Sequence, residues 1–134
     1  MARSDLEAKL DARIKELFLN SVPRYYDHTL QVVAKMKGII KREGKGEEVL
    51  LPAAYLHDIG YCAPYRDSFA GEIADQKEKI TVHSQAGTRL ARQILQELDL
   101  EPELTERIAY LVQVHHRHDI EDEQLKLLLE ADTI

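Results

Sequence analysis

Six histidines and a single cysteine define the chemistry that this 134-residue chain can perform. The histidines are His28, His57, His83, His115, His116 and His118. One thiol, that of Cys62, cannot form an internal disulfide or the thiolate cage of a structural zinc or iron–sulfur site. Imidazole nitrogen combined with carboxylate oxygen instead suits manganese, iron, cobalt, nickel or catalytic zinc.

Helical periodicity places several ionisable side chains on faces that are otherwise apolar. Residues of this kind are His57, His83, His115 and Asp132. Asp132, for example, follows Leu128 by four residues, a spacing that puts both side chains on one helix face. Whether His28 lies on an apolar face is less clear, because the stripe of residues along its helix face also contains Lys35. Burying a lone carboxylate is costly unless a partner or a metal neutralises it. Inward-facing ligands on separate helices therefore predict a metal site in the core.

The elements that must carry these residues all read as helices. Apolar spacing predicts helices over 4–19, about 25–43, 47–59, from 81 onwards, from 102 to 115, and through 125–129. Ser4 and Glu7 have capping-box spacing, and Gly44 and Gly60 end the second and third helices. The segment 60–80 has no clean period and is predicted to be a long irregular connection, a type of loop that is often functional. No strand alternation is present, so the fold class is all-α.

The composition is that of one globular domain. Apolar residues make up 44% and charged residues 31% of the chain, and 18 basic against 24 acidic residues give a net charge of −6. This acidic balance argues against a nucleic-acid partner. Neither a membrane-spanning run nor a secretory signal is present, so we predict a cytoplasmic protein. The predicted single domain, 1–134, divides into an N-terminal helix with its connection (1–24) and a metal-binding core (25–134).

An ordered set of residues resembles the signature of the HD superfamily of metal-dependent phosphohydrolases. The set consists of a histidine, an adjacent His-Asp pair within the string LHDIG, and a distant aspartate: His28, His57, Asp58 and Asp132. Two further positions are similar to those of the dinuclear subset of this superfamily: His83 and the pair His115-His116. The resemblance implies an HD-domain-like bundle of five to seven helices with the metal site between them.

The resemblance also implies how the ligands divide between two divalent ions. His28, His57, Asp58 and Asp132 would hold the first ion, and Asp58 would bridge to the second. His83 and His115 would complete the second site, with His116 as an alternative to His115. Iron, manganese, cobalt, nickel or zinc would suit these ligands, and magnesium is a further candidate ion.

The leading hypothesis is hydrolysis of a phosphoester of a nucleotide or another small phosphorylated metabolite. A metal-activated hydroxide would attack phosphorus, with His57 and Asp58 as the catalytic residues. Substrate contacts are predicted for Tyr61, Arg66, Lys77 and Arg117. The cyclic-di-GMP phosphodiesterase branch is disfavoured, because Tyr61 stands where that branch has lysine and residues 117–120 read Arg-His-Asp-Ile where it has Gly-Tyr-Pro.

Two alternatives of other classes stay open. The same order of ligands occurs in diiron oxygenases similar to myo-inositol oxygenase. The chain is alternatively a nucleotide-binding regulatory domain without catalysis. A homodimer, and a continuation of the polypeptide beyond Asp132, are left open as well.

Overall fold

The computed structural model describes residues 3–20, 22–61 and 76–133, with the side chains of 5–20, 22–61 and 85–133. In this part of the chain there are six α-helices and no strand. They are α1 (Arg3–Leu19), α2 (Pro23–Glu43), α3 (Glu47–Leu56), α4 (Gln76–Glu97), α5 (Pro102–Val114) and α6 (Glu123–Asp132), with a 3₁₀ turn at Ile59–Tyr61. The predicted all-α class is confirmed.

Helix α3 is the most enclosed element among the described residues. Every residue from Val49 to Leu56 is buried, and α3 contacts α1, α2, α5 and α6. A helix that is apolar on all sides is stable only when other elements surround it. Because His57 and Asp58 directly follow α3, this central position places both residues inside the bundle.

The surrounding helices are amphipathic and bury one face each. Helix α2 buries Val32, Val33, Met36 and Ile39, and it packs against α1, α3 and α6. Helix α4 packs against α5 and against the 3₁₀ turn. Each fully buried leucine or isoleucine in such a core contributes roughly 1.5–3 kcal/mol relative to an exposed one. Within the described ranges, no helix has the length and apolar character needed to cross a lipid bilayer.

Several helix ends follow the local sequence signals. Pro23 and Pro102 occupy the first turns of α2 and α5, where the missing N–H of proline costs nothing. Gly44 ends α2 in the left-handed conformation, with a φ of 72°. Asp122 begins α6, and its Oδ1 accepts a hydrogen bond from the Leu125 N–H at 3.0 Å. The predicted end of the second helix at Gly44 is confirmed.

Other predicted boundaries were wrong. Helix α3 ends at Leu56 and not at residue 59, because the His57 side chain caps the helix and Gly60 lies within the 3₁₀ turn. Helix α4 already begins at Gln76, so residues 76–80 are helical and not part of an irregular connection. Residues 62–75 of that predicted connection, which include Cys62 and Arg66, lie outside the described residues.

The predicted capping box at the start of the first helix was also wrong. Helix α1 begins at Arg3, which places Ser4 inside the helix and not before it. The Glu7 carboxylate instead accepts a hydrogen bond from the Tyr55 hydroxyl at 2.7 Å and pairs with the Lys37 ammonium at 2.6 Å. These tertiary contacts offer the carboxylate stronger partners than a backbone N–H at a helix start.

Candidate metal centre

Four of the predicted ligands converge on one point of the bundle. His28 comes from α2, His57 and Asp58 from the turn after α3, and Asp132 from the last residue of α6. One ligand atom of each residue lies within 4.8 Å of the other three. Protein ligand atoms stand about 2.0–2.6 Å from a bound divalent ion, so two ligands of one ion are at most about 5 Å apart. The group therefore has the dimensions of a site for one divalent ion.

Two carboxylate oxygens of this centre face two imidazole nitrogens. Asp132 Oδ1 lies 3.0 Å from His28 Nε2 and 3.2 Å from His57 Nε2. Asp58 Oδ2 lies 3.2 Å from His57 Nε2 and 3.5 Å from His28 Nε2. The His57 side chain is 0% exposed, whereas those of Asp132 and His28 are 27% and 35% exposed. The centre is thus enclosed on the α3 side and accessible beside His28 and Asp132.

His57 and His115 are oriented by the same local arrangement. Each is the first residue after a helix, and its Nδ1–H donates to the backbone carbonyl three residues earlier. His57 donates to Ala54 at 2.7 Å and His115 donates to Val112 at 2.6 Å. These bonds satisfy a carbonyl that the helix end leaves without a partner. They also fix the tautomer, so that Nε2 is the atom of each ring that faces Asp58 and could serve as a metal ligand.

The two oxygens of Asp58 face different histidines. Oδ2 faces His28 and His57, whereas Oδ1 lies 3.6 Å from His115 Nε2, which is beyond hydrogen-bond distance. His115 Nε2 is buried and has no hydrogen-bond partner among the described residues. A buried polar atom without a partner is rare in folded proteins. A cation between His115 and Asp58 would supply the missing partner, so the donor set fits a second ion at this position.

The pKa values at the centre reflect close pairing of opposite charges. Burial disfavours an ionised Asp58, but the imidazoles of His57 and His115 outweigh burial and hold the pKa of Asp58 far below its usual value. Burial likewise disfavours a charged His57, but the Asp58 and Asp132 carboxylates raise the pKa of His57 to about 10. The pKa of Asp132 is lowered, because hydrogen bonds from His57 and His28 outweigh its burial. The centre therefore favours a bound cation, either a proton or a metal.

Three helices end at this centre, and their ends add to its negative potential. His57 follows α3, His115 follows α5, and Asp132 closes α6. A helix C-terminus carries a partial negative charge of about half an electron, from its unpaired carbonyls. The helix ends and the two carboxylates thus act in the same direction and attract cations.

Helix α4 approaches the turn that carries the His-Asp pair. A Cβ atom on Gly87 would lie 3.2 Å from the Gly60 nitrogen and 3.4 Å from its Cα. Such a distance is tighter than normal packing against backbone allows, so glycine at position 87 permits the contact. Position 83 lies one helical turn before Gly87. The side chains of His83 and Lys77 lie outside the described residues, and their roles stay predictions.

His116 lies beside the centre and outside its four-ligand group. Its ring contacts the His115 ring, with 3.8 Å between the centroids. Burial and the charge of His115 lower the pKa of His116 to about 4. Arg117, a predicted substrate contact, is exposed and pairs with Asp119 at 2.6 Å.

Tyr61 stacks on an aromatic residue that sequence reasoning missed. The rings of Tyr61 and Tyr25 are 4.7 Å apart and within 3° of parallel. Burial, together with the charge of Asp58, raises the pKa of Tyr61 to about 12. Tyr25 precedes His28 by three residues on α2, and this spacing is the signal that could have indicated its position beside the site.

Comparison with known proteins identifies the family. The HD domain family matches residues 25–133, and the chain belongs to it. Members of this family are largely metal-dependent phosphohydrolases and bind divalent metals. No curated protein and no solved structure matches the chain significantly.

Proposed function

We propose that this chain is a metal-dependent phosphohydrolase that acts on a phosphoester of a nucleotide or another small phosphorylated metabolite. The observation that carries the proposal is the group of four ligand atoms within 4.8 Å, supplied by His28, His57, Asp58 and Asp132. Family membership over residues 25–133 supports the same reaction class.

The arrangement of Asp58 supports a centre with two ions. One carboxylate oxygen faces His28 and His57, and the other faces His115 Nε2, which has no hydrogen-bond partner within the described ranges. A carboxylate that presents one oxygen to each side is suited to bridging two cations. In this proposal Asp58 would contribute a ligand to each of two ions, and His115 and His83 would complete the second site.

The residues of the centre would bind and orient the reacting groups. A divalent ion held by His28, His57, Asp58 and Asp132 would neutralise charge on the phosphoryl oxygens and would lower the pKa of a bound water towards neutrality. Asp58 and Asp132 contribute the negative charge that retains such ions. The Ala54 carbonyl keeps the His57 ring in one tautomer and one orientation. A centre already ordered in this way avoids reorganisation during the reaction.

The surroundings of the centre favour a substrate with a flat ring. Tyr61 and Tyr25 form a parallel aromatic pair, and Asp58 and Asp132 both contribute to the raised pKa of Tyr61. An aromatic pair beside a phosphoryl-binding centre is suited to stacking on a nucleobase. Arg66, Lys77 and Arg117 remain the proposed cationic contacts to phosphate, although Arg117 must first leave Asp119.

The test is hydrolysis by metal-loaded protein. Protein reconstituted separately with Mn²⁺, Fe²⁺, Co²⁺, Ni²⁺ or Zn²⁺ is assayed against nucleotides, phosphomonoesters and phosphodiesters. We expect turnover with at least one redox-inert ion, and its loss in Asp58→Asn. His118→Ala, which removes an exposed imidazole outside the centre, is the matched control and should keep full activity.

The outcomes separate this proposal from the two alternatives. Oxygen-dependent turnover that occurs only with iron would assign the chain to the diiron oxygenases. Proven metal occupancy without turnover of any substrate, with nucleotide binding that survives Asp58→Asn, would favour a regulatory domain. Elemental analysis with anomalous scattering counts the ions, and His115→Ala should reduce two to one.

A further inference from the structure

Three polar residues of α2 share one stripe, and each contacts the last turn of α6. They are spaced by seven residues, or about two helical turns: His28, Lys35 and Arg42. The Lys35 ammonium donates to the Thr133 carbonyl at 2.6 Å. The Arg42 guanidinium donates to both carboxylate oxygens of Glu130, at 2.8 and 3.1 Å. His28 contacts Asp132 itself.

The two cationic side chains flank the metal ligand Asp132. Lys35 partners a carbonyl one residue after it, and Arg42 partners a side chain two residues before it. An ammonium at a helix C-terminus satisfies an orphan carbonyl and interacts favourably with the helix dipole. Helix ends fray when nothing holds them. These contacts therefore tie the end of α6 to α2, the helix that also carries His28.

Asp132 needs such support more than Asp58 does. Helix α6 has ten residues, and its first turn is held at the opposite end by the hydrogen bond between Asp122 and Leu125. The Asp132 side chain is 27% exposed, whereas that of Asp58 is 9% exposed and lies inside the bundle. A ligand in the final turn of a short helix depends on whatever fixes that turn.

We propose that Lys35 and Arg42 are positioning residues for Asp132, which hold the last turn of α6 so that Oδ1 meets His28 and His57. The inference rests on the proposed metal-dependent function. It also explains why a lysine lies on the stripe of α2 that carries a ligand. Residues that orient a metal ligand without touching the ion commonly change metal affinity about 10–100-fold when they are removed.

Simple electrostatics predicts an effect of the opposite sign. Lys35 is a cation near a site for cations, so its removal relieves repulsion and should strengthen metal binding. Loss of a positioning contact should weaken binding. The direction of the change in affinity therefore distinguishes positioning from charge alone.

The experiment measures Mn²⁺ affinity by calorimetry on protein prepared free of metal. We expect Lys35→Met to weaken binding about 10-fold and Arg42→Met to weaken it less, with Lys35→Arg restoring most of the affinity. Lys41→Met removes the same charge from an exposed position of α2 and is the matched control, with affinity unchanged. In an Asp132→Asn background, Lys35→Met should have no further effect on the residual affinity.

Amide hydrogen exchange in the presence of a chelator supplies a readout that needs no metal. Lys35→Met should accelerate exchange at residues 129–133 and leave exchange in α1 unchanged. Unchanged or strengthened Mn²⁺ affinity in Lys35→Met, or unchanged exchange at 129–133, would overturn the proposal. If the wild-type protein binds no Mn²⁺, the proposed function fails, and the exchange measurement alone decides whether the two cations hold this turn.

Discussion

Two of the polar clusters among the described residues differ in whether the protein alone completes them. The first, which we term the α1 anchor, consists of Glu7, Lys37 and Tyr55. The second is the candidate metal centre of His28, His57, Asp58 and Asp132. In the α1 anchor one carboxylate meets one ammonium and one hydroxyl, at 2.6 and 2.7 Å. Its charges cancel, and each of these groups has a partner.

The metal centre lacks this completeness. Two carboxylates and three helix C-termini concentrate negative potential around buried imidazoles, and the neighbouring His115 Nε2 has no partner among the described residues. A half-satisfied buried network is costly in a low-dielectric interior. The α1 anchor therefore stabilises the fold by itself, whereas the donor set of the metal centre fits added cations.

The largest difference between the two clusters is expected when one negative charge is removed from each without a change in side-chain shape. Asp58→Asn should lower Mn²⁺ affinity at least about 100-fold, since Asp58 faces all three neighbouring imidazoles. Glu7→Gln, the matched change in the α1 anchor, should leave affinity unchanged. Calorimetry on metal-free protein measures both variants. Equal losses of Mn²⁺ affinity in the two variants would show that Mn²⁺ binding does not depend on Asp58 in particular.

A second test compares thermal stability with and without metal. A ligand that binds only the folded state at 100 times its Kd adds about 2.7 kcal/mol, which for a domain of this size raises Tm by about 10 °C. We expect this rise for the wild type and for Glu7→Gln, and its absence for Asp58→Asn. Differential scanning fluorimetry with Mn²⁺ and with a chelator gives the values. If the Tm of the wild type is the same with Mn²⁺ and with a chelator, the assignment of this centre as a metal site is contradicted.

A third test addresses the α1 anchor. Glu7→Ala leaves the buried Tyr55 hydroxyl and the Lys37 ammonium without their shared acceptor, and should lower the free energy of unfolding by about 2 kcal/mol. Urea denaturation in the presence of a chelator measures this loss.

Two comparisons control that measurement. Tyr55→Phe, which removes only the hydroxyl, should cost about 1 kcal/mol. The rise in stability on adding Mn²⁺ should be the same in Glu7→Ala as in the wild type. A smaller rise in the variant would mean that the α1 anchor and the metal centre are coupled.

Local chemistry accounts for the parts of the fold that the sequence predicts well. Gly44 ends α2 because the left-handed conformation is available to glycine without strain, and Pro102 begins α5 because its φ suits a first helical turn. The convergence of His57 and Asp132 was predictable too, since the helical spacing of the residues before each of them continues their apolar face to that position. All three inferences use only residues within a few positions of each other.

Tertiary contacts account for what the sequence did not indicate. The end of α3 was misplaced because the His57 ring caps the helix before the glycine signal at Gly60 is reached. The stripe of His28 was ambiguous because Lys35 shares it, and the partner of Lys35 is 98 residues away. Helical periodicity reports only which face of a helix is buried. It carries no information about which helix that face meets.

The smallest expected effect concerns pH and belongs to the α1 anchor. Burial disfavours an ionised Glu7, but hydrogen bonds from Lys37 and Tyr55 outweigh burial and lower the pKa of Glu7 in the folded protein. A carboxylate with a lowered folded pKa stabilises the protein above its unfolded pKa of about 4.3. This stabilisation is lost as the pH falls through the folded value. The stability gap between the wild type and Glu7→Gln should therefore be about 1 kcal/mol at pH 7 and shrink towards pH 3.

Urea denaturation at both pH values, with a chelator present, measures that gap. Asp58 and Asp132 also lose stabilising charge in acid, but they do so equally in the wild type and in Glu7→Gln, so the difference isolates Glu7. Glu16→Gln changes an exposed residue of the same helix and should give a gap near zero at either pH. A Glu7→Gln gap that stays constant from pH 7 to pH 3 would mean that the Glu7 carboxylate gains nothing from its charge, and the α1 anchor would then owe its stability to packing alone.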